Sequence, residues 1–232
     1  MTTMDDEGLE TEEHSAGGLA DWLRGMRSAL RGEHDADVPC GGCTACCRSS
    51  QFVHIGPEET DALAAIPPAL LFPAPQMPEG HVLMGYDWQG RCPMLTDAGC
   101  SIYEHRPRTC RTYDCRVFAA SGVEIDDAGK EMIAARVRQW RFDDPSAADR
   151  RVQDALRSAV RYIREHGDLL PEGSEPVTAT RLAVLAVEIV EAFLDPDWES
   201  QPLDVTAQAV RVTLGPRPPQ PGSGAGQPPR DP

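Results

Sequence analysis

The sequence holds one lysine, Lys130, in 232 residues and leaves nearly all of its positive charge to arginine. Genomic base composition is a sufficient reason for that bias. Positive charge of either kind is scarce: 22 basic residues stand against 37 acidic ones, a net charge of −15. Such a balance argues against nucleic acid and anionic membrane as partners, because both are bound by neutralising phosphate with Lys and Arg. Long apolar runs are missing too, with nothing near the ~18 residues of a membrane span. The opening Met1-Thr2-Thr3-Met4-Asp5-Asp6-Glu7 has neither the basic nor the apolar part of an export signal. A cytoplasmic protein is the expectation. Also absent are a nucleophile elbow, a phosphate-binding loop and a glycine-rich dinucleotide fingerprint. The C-x3-C-x2-C run of radical S-adenosylmethionine enzymes is missing as well, and no residue is singled out as catalytic.

Thiols are absent from most of the chain and crowded into one part of it. All eight fall between residues 40 and 115: Cys40, Cys43, Cys46, Cys47, Cys92, Cys100, Cys110 and Cys115. Four of them lie within eight residues. In a reducing cytoplasm thiols stay reduced, so a dense pattern of this kind points to metal binding. Four disulfides are the alternative, and they would suit an exported domain. The segment 38–118 holds eight acidic and six basic residues (−2), against ten and three (−7) in residues 1–37.

Cys40-x2-Cys43-x2-Cys46 lets a turning backbone aim three sulfurs at one centre, with Gly41 and Gly42 easing the turn. Bacterial ferredoxin motifs open with the same spacing, but there three residues separate the third and fourth cysteines. Here Cys47 follows at once. Adjacent side chains in extended backbone point in opposite directions, so Cys46 and Cys47 serve different centres or one of them is not a ligand. None of Cys92, Cys100, Cys110 and Cys115 forms a C-x2-C knuckle, and no zinc-finger spacing fits the whole set. Eight thiolates suffice for two four-cysteine sites. A zinc ion and a four-iron cluster, each held by four thiolates, both carry a charge of −2. Either suits the arginines nearby, Arg48, Arg91, Arg106, Arg108, Arg111 and Arg116, which otherwise form an ordinary solvated face. His54, His81 and His105 could each replace a thiolate, although a lone histidine is more often a packed or surface residue.

Elsewhere the pattern is mostly helical. Residues 1–16 read as a disordered acidic tail. Leu19, Trp22, Leu23, Met26 and Leu30 recur at helical spacing, and Gly32 offers a stop. Residues 51–55 suit a strand, and a helix from Pro57 should end by Ile66 before Pro67-Pro68. The proline-rich residues 67–80 read as a loop. His81 to Tyr86 and Arg91 to Leu95 read as a hairpin through Asp87-Trp88-Gln89-Gly90. Three further helices follow, one carrying Met132, Ile133, Val137 and Trp140, one capped near Ser146, and one started near Thr178. Residues 202–214 form a last element, and 215–232 a disordered tail rich in Pro and Gly. The expected fold is α+β. It comprises a cysteine-cluster metal-binding domain with its leading helix (17–118), short strands included, and a helical region packing on it (119–214).

Cys40-x2-Cys43-x2-Cys46-Cys47-Arg48, then Cys92-Pro93, then Cys100-x-Ile102-Tyr103-Glu104-x-Arg106-Pro107-x2-Cys110-Arg111 resembles the YkgJ-type CxxCxxCC cysteine-cluster family. The resemblance covers about residues 38–118 and implies a zinc- or iron-chelating domain; some members are described as iron–sulfur oxidoreductases. Flagellin lysine N-methylases share the cysteine module, but the helices after residue 120 show nothing of that branch. The expected function is chelation of iron, as a redox-active iron–sulfur cluster, or of zinc, through up to eight cysteines. The alternatives are a structural zinc module whose helices meet a protein partner, an iron–sulfur-dependent oxidoreductase or transferase, and a thiol-based sensor.

Overall fold

The computed structural model describes residues 13–215 except 37, 76, 144, 145 and 177. The expected tails at 1–12 and 216–232 lie outside the described residues. The acidic tail ends earlier than the polar composition suggests: His14–Gly17 form strand β1, with Ala16 buried. Helix α1 (Leu19–Arg31) follows, burying Leu19, Trp22, Leu23, Met26 and Ala29. It stops at Gly32, whose φ of 79° lets its N–H reach Ala29 O, with Glu33 N–H on Ser28 O.

The cysteine loop leads to β2 (Val53–Ile55), α2 (Thr60–Ala65), β3 (Leu71–Pro73) and β4 (Val82–Met84). These strands form one antiparallel sheet in the order β2-β4-β3. Two expectations are corrected here. Residues 67–80 are not loop throughout, because β3 lies among the prolines; it is an edge strand, where Pro73 costs no ladder bond. The 81–86/91–95 hairpin does not form either. Both edges of β4 are taken by β2 and β3, although Asp87 N–H still bonds Arg91 O at 2.9 Å to close the turn. Instead Leu95–Thr96 (β5) pairs with Gly99–Cys100 (β6). Two short helices, α3 (Arg108–Thr112) and α4 (Arg116–Ser121), complete this stretch.

The rest is helical: α5 (Glu131–Val137), α6 (Ala147–Glu165), α7 (Ala179–Ile189) and α8 (Leu203–Leu214). Trp140, expected on the helix of Met132, Ile133 and Val137, belongs instead to strand β7 (Trp140–Phe142), which pairs in parallel with β1. Helix α6 opens with a reciprocal cap, Ser146 Oγ accepting from Asp149 N–H and the Asp149 carboxylate from Ser146 N–H. The other Asp149 oxygen takes the Ala20 N–H at 2.8 Å, tying the starts of α1 and α6 together.

The interior divides in two. The larger core runs through α1, α4, α6, α7 and β7, with α7 packed on α1, α4, α6 and α8. The smaller lies under the β2-β4-β3 sheet and consists of Val53, Ile55, Ala62, Ile66, Met84 and Ile102. The leading helix α1 packs chiefly on α6 and α7, and touches the cysteine segment at α3.

Candidate metal centre

The cysteine loop is anchored by one apolar residue. Ala45 is buried in the larger core and accepts two hydrogen bonds at its carbonyl, from Arg48 N–H (3.1 Å) and the Ser49 hydroxyl (2.7 Å). Cys43 N–H bonds Cys40 O at 3.0 Å, turning the loop through Gly41 (φ 56°). Cys46–Arg48 then form a single 3-10 turn. Beyond it, Cys92 N–H bonds Cys47 O at 2.7 Å, fixing the second stretch of cysteines against the first. All eight cysteines are free thiols. Among the described residues no three His, Cys, Asp or Glu side chains stand close enough as they are to hold a metal ion. The thiols form neighbourhoods rather than closed cages.

Around Cys115 the surroundings are dry and polar at once. Cys115 is 6% exposed, and its sulfur accepts the Trp140 indole N–H at 3.1 Å. Burial pushes this thiol up to about 12 against the Trp140 bond, with Asp114, Cys40 and Cys43 adding to the rise. Burial likewise raises Cys46 far above its ordinary value, helped by Cys115 and Cys40. Cys40 rises through burial and Cys43, opposed by Arg136 and Arg116. The Asp114 carboxylate accepts from Trp22 Nε1–H (2.8 Å) and from the guanidinium and backbone amide of Arg116. The Arg136 guanidinium lies 4.6 Å over the Trp140 ring, and its Nε–H is buried without a partner. The Tyr113 hydroxyl is also buried here, facing Thr180 without a hydrogen bond of full geometry.

The other cysteines border the smaller core. Cys92, Cys100 and Cys110 pack against it, Cys100 from β6 and Cys110 from α3. Burial pushes Cys47 up to about 11, with Cys92 and Cys100 adding and Arg48 opposing. It pushes Cys110 up to about 12, with Cys92, Cys47 and Cys100 adding and Arg106 opposing. Burial also raises Cys92, with the nearby backbone N–H groups of Met94 and Leu95 resisting the rise. The Thr109 hydroxyl, donating to His54 O at 2.8 Å, clips α3 to the sheet.

The candidates read from the sequence separate clearly. Arg116, Arg48 and Arg106 lie beside thiols, and Arg91, next to Cys92, has a buried Nε–H without a partner. Arg111 pairs with Asp35 instead. His54 and His81 meet each other, Nε2 to Nδ1 at 3.0 Å, and His105 sits in an exposed 3-10 turn. Sequence reasoning missed Trp140, Arg136, Tyr113, Asp114 and Lys130. The isolation of Lys130 was the one signal available, since its ammonium donates to Ser49 O at 2.6 Å beside the loop.

A tetrathiolate metal centre carries net negative charge, and the donor set fits one. The Cys115 sulfur is buried under the Trp140 N–H, the other thiols are half-buried, and the partnerless buried N–H groups of Arg136 and Arg91 suit an anion. Residues 39–132 match the family model described as "CxxCxxCC: Putative zinc- or iron-chelating domain". That match supports metal binding by this segment, with zinc or iron as the metal. No curated protein and no solved structure matches the chain. No helix among the described residues is long and apolar enough to cross a membrane.

Proposed function

We propose that the matched segment holds iron as an iron–sulfur cluster in the cytoplasm, with the cysteines as ligands. The observation that carries this reading is the Trp140 N–H on the buried Cys115 sulfur, with Arg116 and Arg136 near Cys40. Hydrogen bonds to sulfur, burial and local charge are the means by which a protein sets a cluster's potential. When bound, such a cluster would supply one-electron chemistry. The chain's own residues bury Cys115, half-bury the other thiols and offset the negative charge. Two surface cavities, of about 380 Å³ by Arg161, His166 and Trp198 and about 280 Å³ by Asp127 and Arg138, are lined by no cysteine. Neither brings a substrate to the thiols, so no reaction is assigned.

Structural zinc is a second reading, and the size of the smaller core favours it. Six buried apolar side chains are few for the strands and loops they must hold, and small domains of that kind are commonly stapled by metal. The two readings separate on purification without oxygen, followed by a visible spectrum and assays for iron, sulfide and zinc. Iron with sulfide and a brown colour supports the cluster. A colourless protein with zinc overturns it in favour of the structural ion.

A further inference from the structure

Resting on the metal-binding reading, we infer that the eight cysteines form two separate centres. Cys40, Cys43, Cys46 and Cys115 make one, and Cys47, Cys92, Cys100 and Cys110 make the other, so that the chain passes from one to the other across the Cys46–Cys47 peptide. Each takes one tetrathiolate-held metal ion or cluster.

Two independent features of the geometry carry this division. The first is the backbone. A 3-10 turn advances roughly 120° per residue, so consecutive side chains in the Cys46–Arg48 turn diverge. The Cys92 N–H bond to Cys47 O then brings the second run of cysteines to the Cys47 side, and the β5–β6 pairing of Leu95 with Cys100 keeps Cys100 there. The second is packing. Cys43 and Cys115 belong to the larger core, whereas Cys92, Cys100 and Cys110 border the smaller one.

The junction is braced from both sides. Ser50 is the one non-glycine among the described residues with positive φ, at 49°. Its N–H bonds Gly90 O at 3.0 Å on the sheet side, while Lys130 at the start of α5 reaches Ser49 O from the helical side. A side chain at Gly90 would put its Cβ 2.4 Å from Ser50 Oγ, so the turn must come this close. Strain of this sort persists only where the surroundings hold it.

The test is cadmium titration of the full-length protein and of Cys115→Ser, Cys110→Ser and the double variant, reading thiolate-to-metal absorption and bound metal. The wild type takes two equivalents, each single variant one, and the double variant none. In cadmium-loaded Cys110→Ser, alkylation read by mass spectrometry labels Cys47, Cys92 and Cys100 and spares Cys40, Cys43, Cys46 and Cys115. If the double variant loses no more metal than either single one, or if one substitution exposes all remaining thiols, the division is overturned while metal binding stands. A wild type that binds no cadmium overturns both.

Discussion

Helix α7 buries Leu182, Ala183, Leu185, Ala186, Val187 and Ile189 along eleven residues, while β2, β3 and β4 are three residues each and bury Val53, Ile55 and Met84. The contrast runs through the whole molecule. Among the described residues thirty buried side chains form the larger core and six the smaller. Burying a large aliphatic side chain contributes about 1.5–3 kcal/mol, and ordering each residue's backbone costs about 1–2 kcal/mol. The helical part recovers far more of its ordering cost by burial than the sheet part, with its long loops and six core residues, whose thiols are what remain to hold it.

Metal removal should therefore break the molecule unevenly, and this is the largest effect expected. Structural zinc contributes apparent free energies of about 10–16 kcal/mol in zinc-finger peptides. Stripped by a chelator, the protein should lose amide protection over 53–55, 71–73, 82–84 and 95–100, and keep it over 147–165 and 179–189. Hydrogen exchange with mass spectrometry reads this directly. Uniform loss of protection would show that the two cores stand or fall together.

Truncation inside each core sharpens the same point. Leu185 and Ile55 are both fully buried, and either change to Ala should cost about 2–5 kcal/mol. Leu185→Ala should lower the melting temperature of loaded and stripped protein alike. Ile55→Ala should do so only in the loaded protein, because the stripped sheet has no packing left to lose. Equal effects of Ile55→Ala in both forms would contradict a metal-dependent sheet.

What could be read beforehand follows the same boundary. The helices announce themselves through period and caps, as Leu19, Trp22, Leu23 and Met26 do in α1 and the Ser146–Asp149 box does in α6. Strands of three residues carry no period, and the pairing of β4 with β2 and β3 is settled by packing rather than by the turn at 87–90. Segment 71–73 is hidden further by Pro73 and the prolines on either side of it. At the site, residue type alone exposes the eight thiols. Trp140, Arg136 and Lys130 reach them from beyond residue 118, and such contacts leave no local trace.

Acidity should separate loaded from stripped protein. In the stripped chain Cys115, which belongs to the larger core, is pushed up to about 12, first by burial. An unfolded cysteine titrates at about 8.5. The folded chain thus holds this proton more tightly, a contribution fully present below about pH 8.5 and lost as pH rises toward 12. Metal binding reverses the sign, since each ligating thiol must give up its proton, so loading should weaken as pH falls. Chemical denaturation of both forms across pH 6–10 tests it. Parallel curves would mean that these thiols neither bind metal nor lie buried.

The smallest effect is the most local one. Trp140→Phe keeps an aromatic ring in the larger core but removes the N–H from Cys115, a hydrogen bond contributing about 1 kcal/mol. If Cys115 belongs to a centre distinct from that of Cys110, only one of two bound metals should loosen, by about fivefold, the other keeping its affinity. Ser146→Ala is the matched control, costing about 1 kcal/mol through the lost α6 cap and touching no thiol. The first change should alter metal exchange rates at one site with little change in melting, and the second should lower melting with exchange unaltered. Should Trp140→Phe loosen both metals equally, the sulfurs of the two regions must communicate through something other than the Cys46–Cys47 peptide.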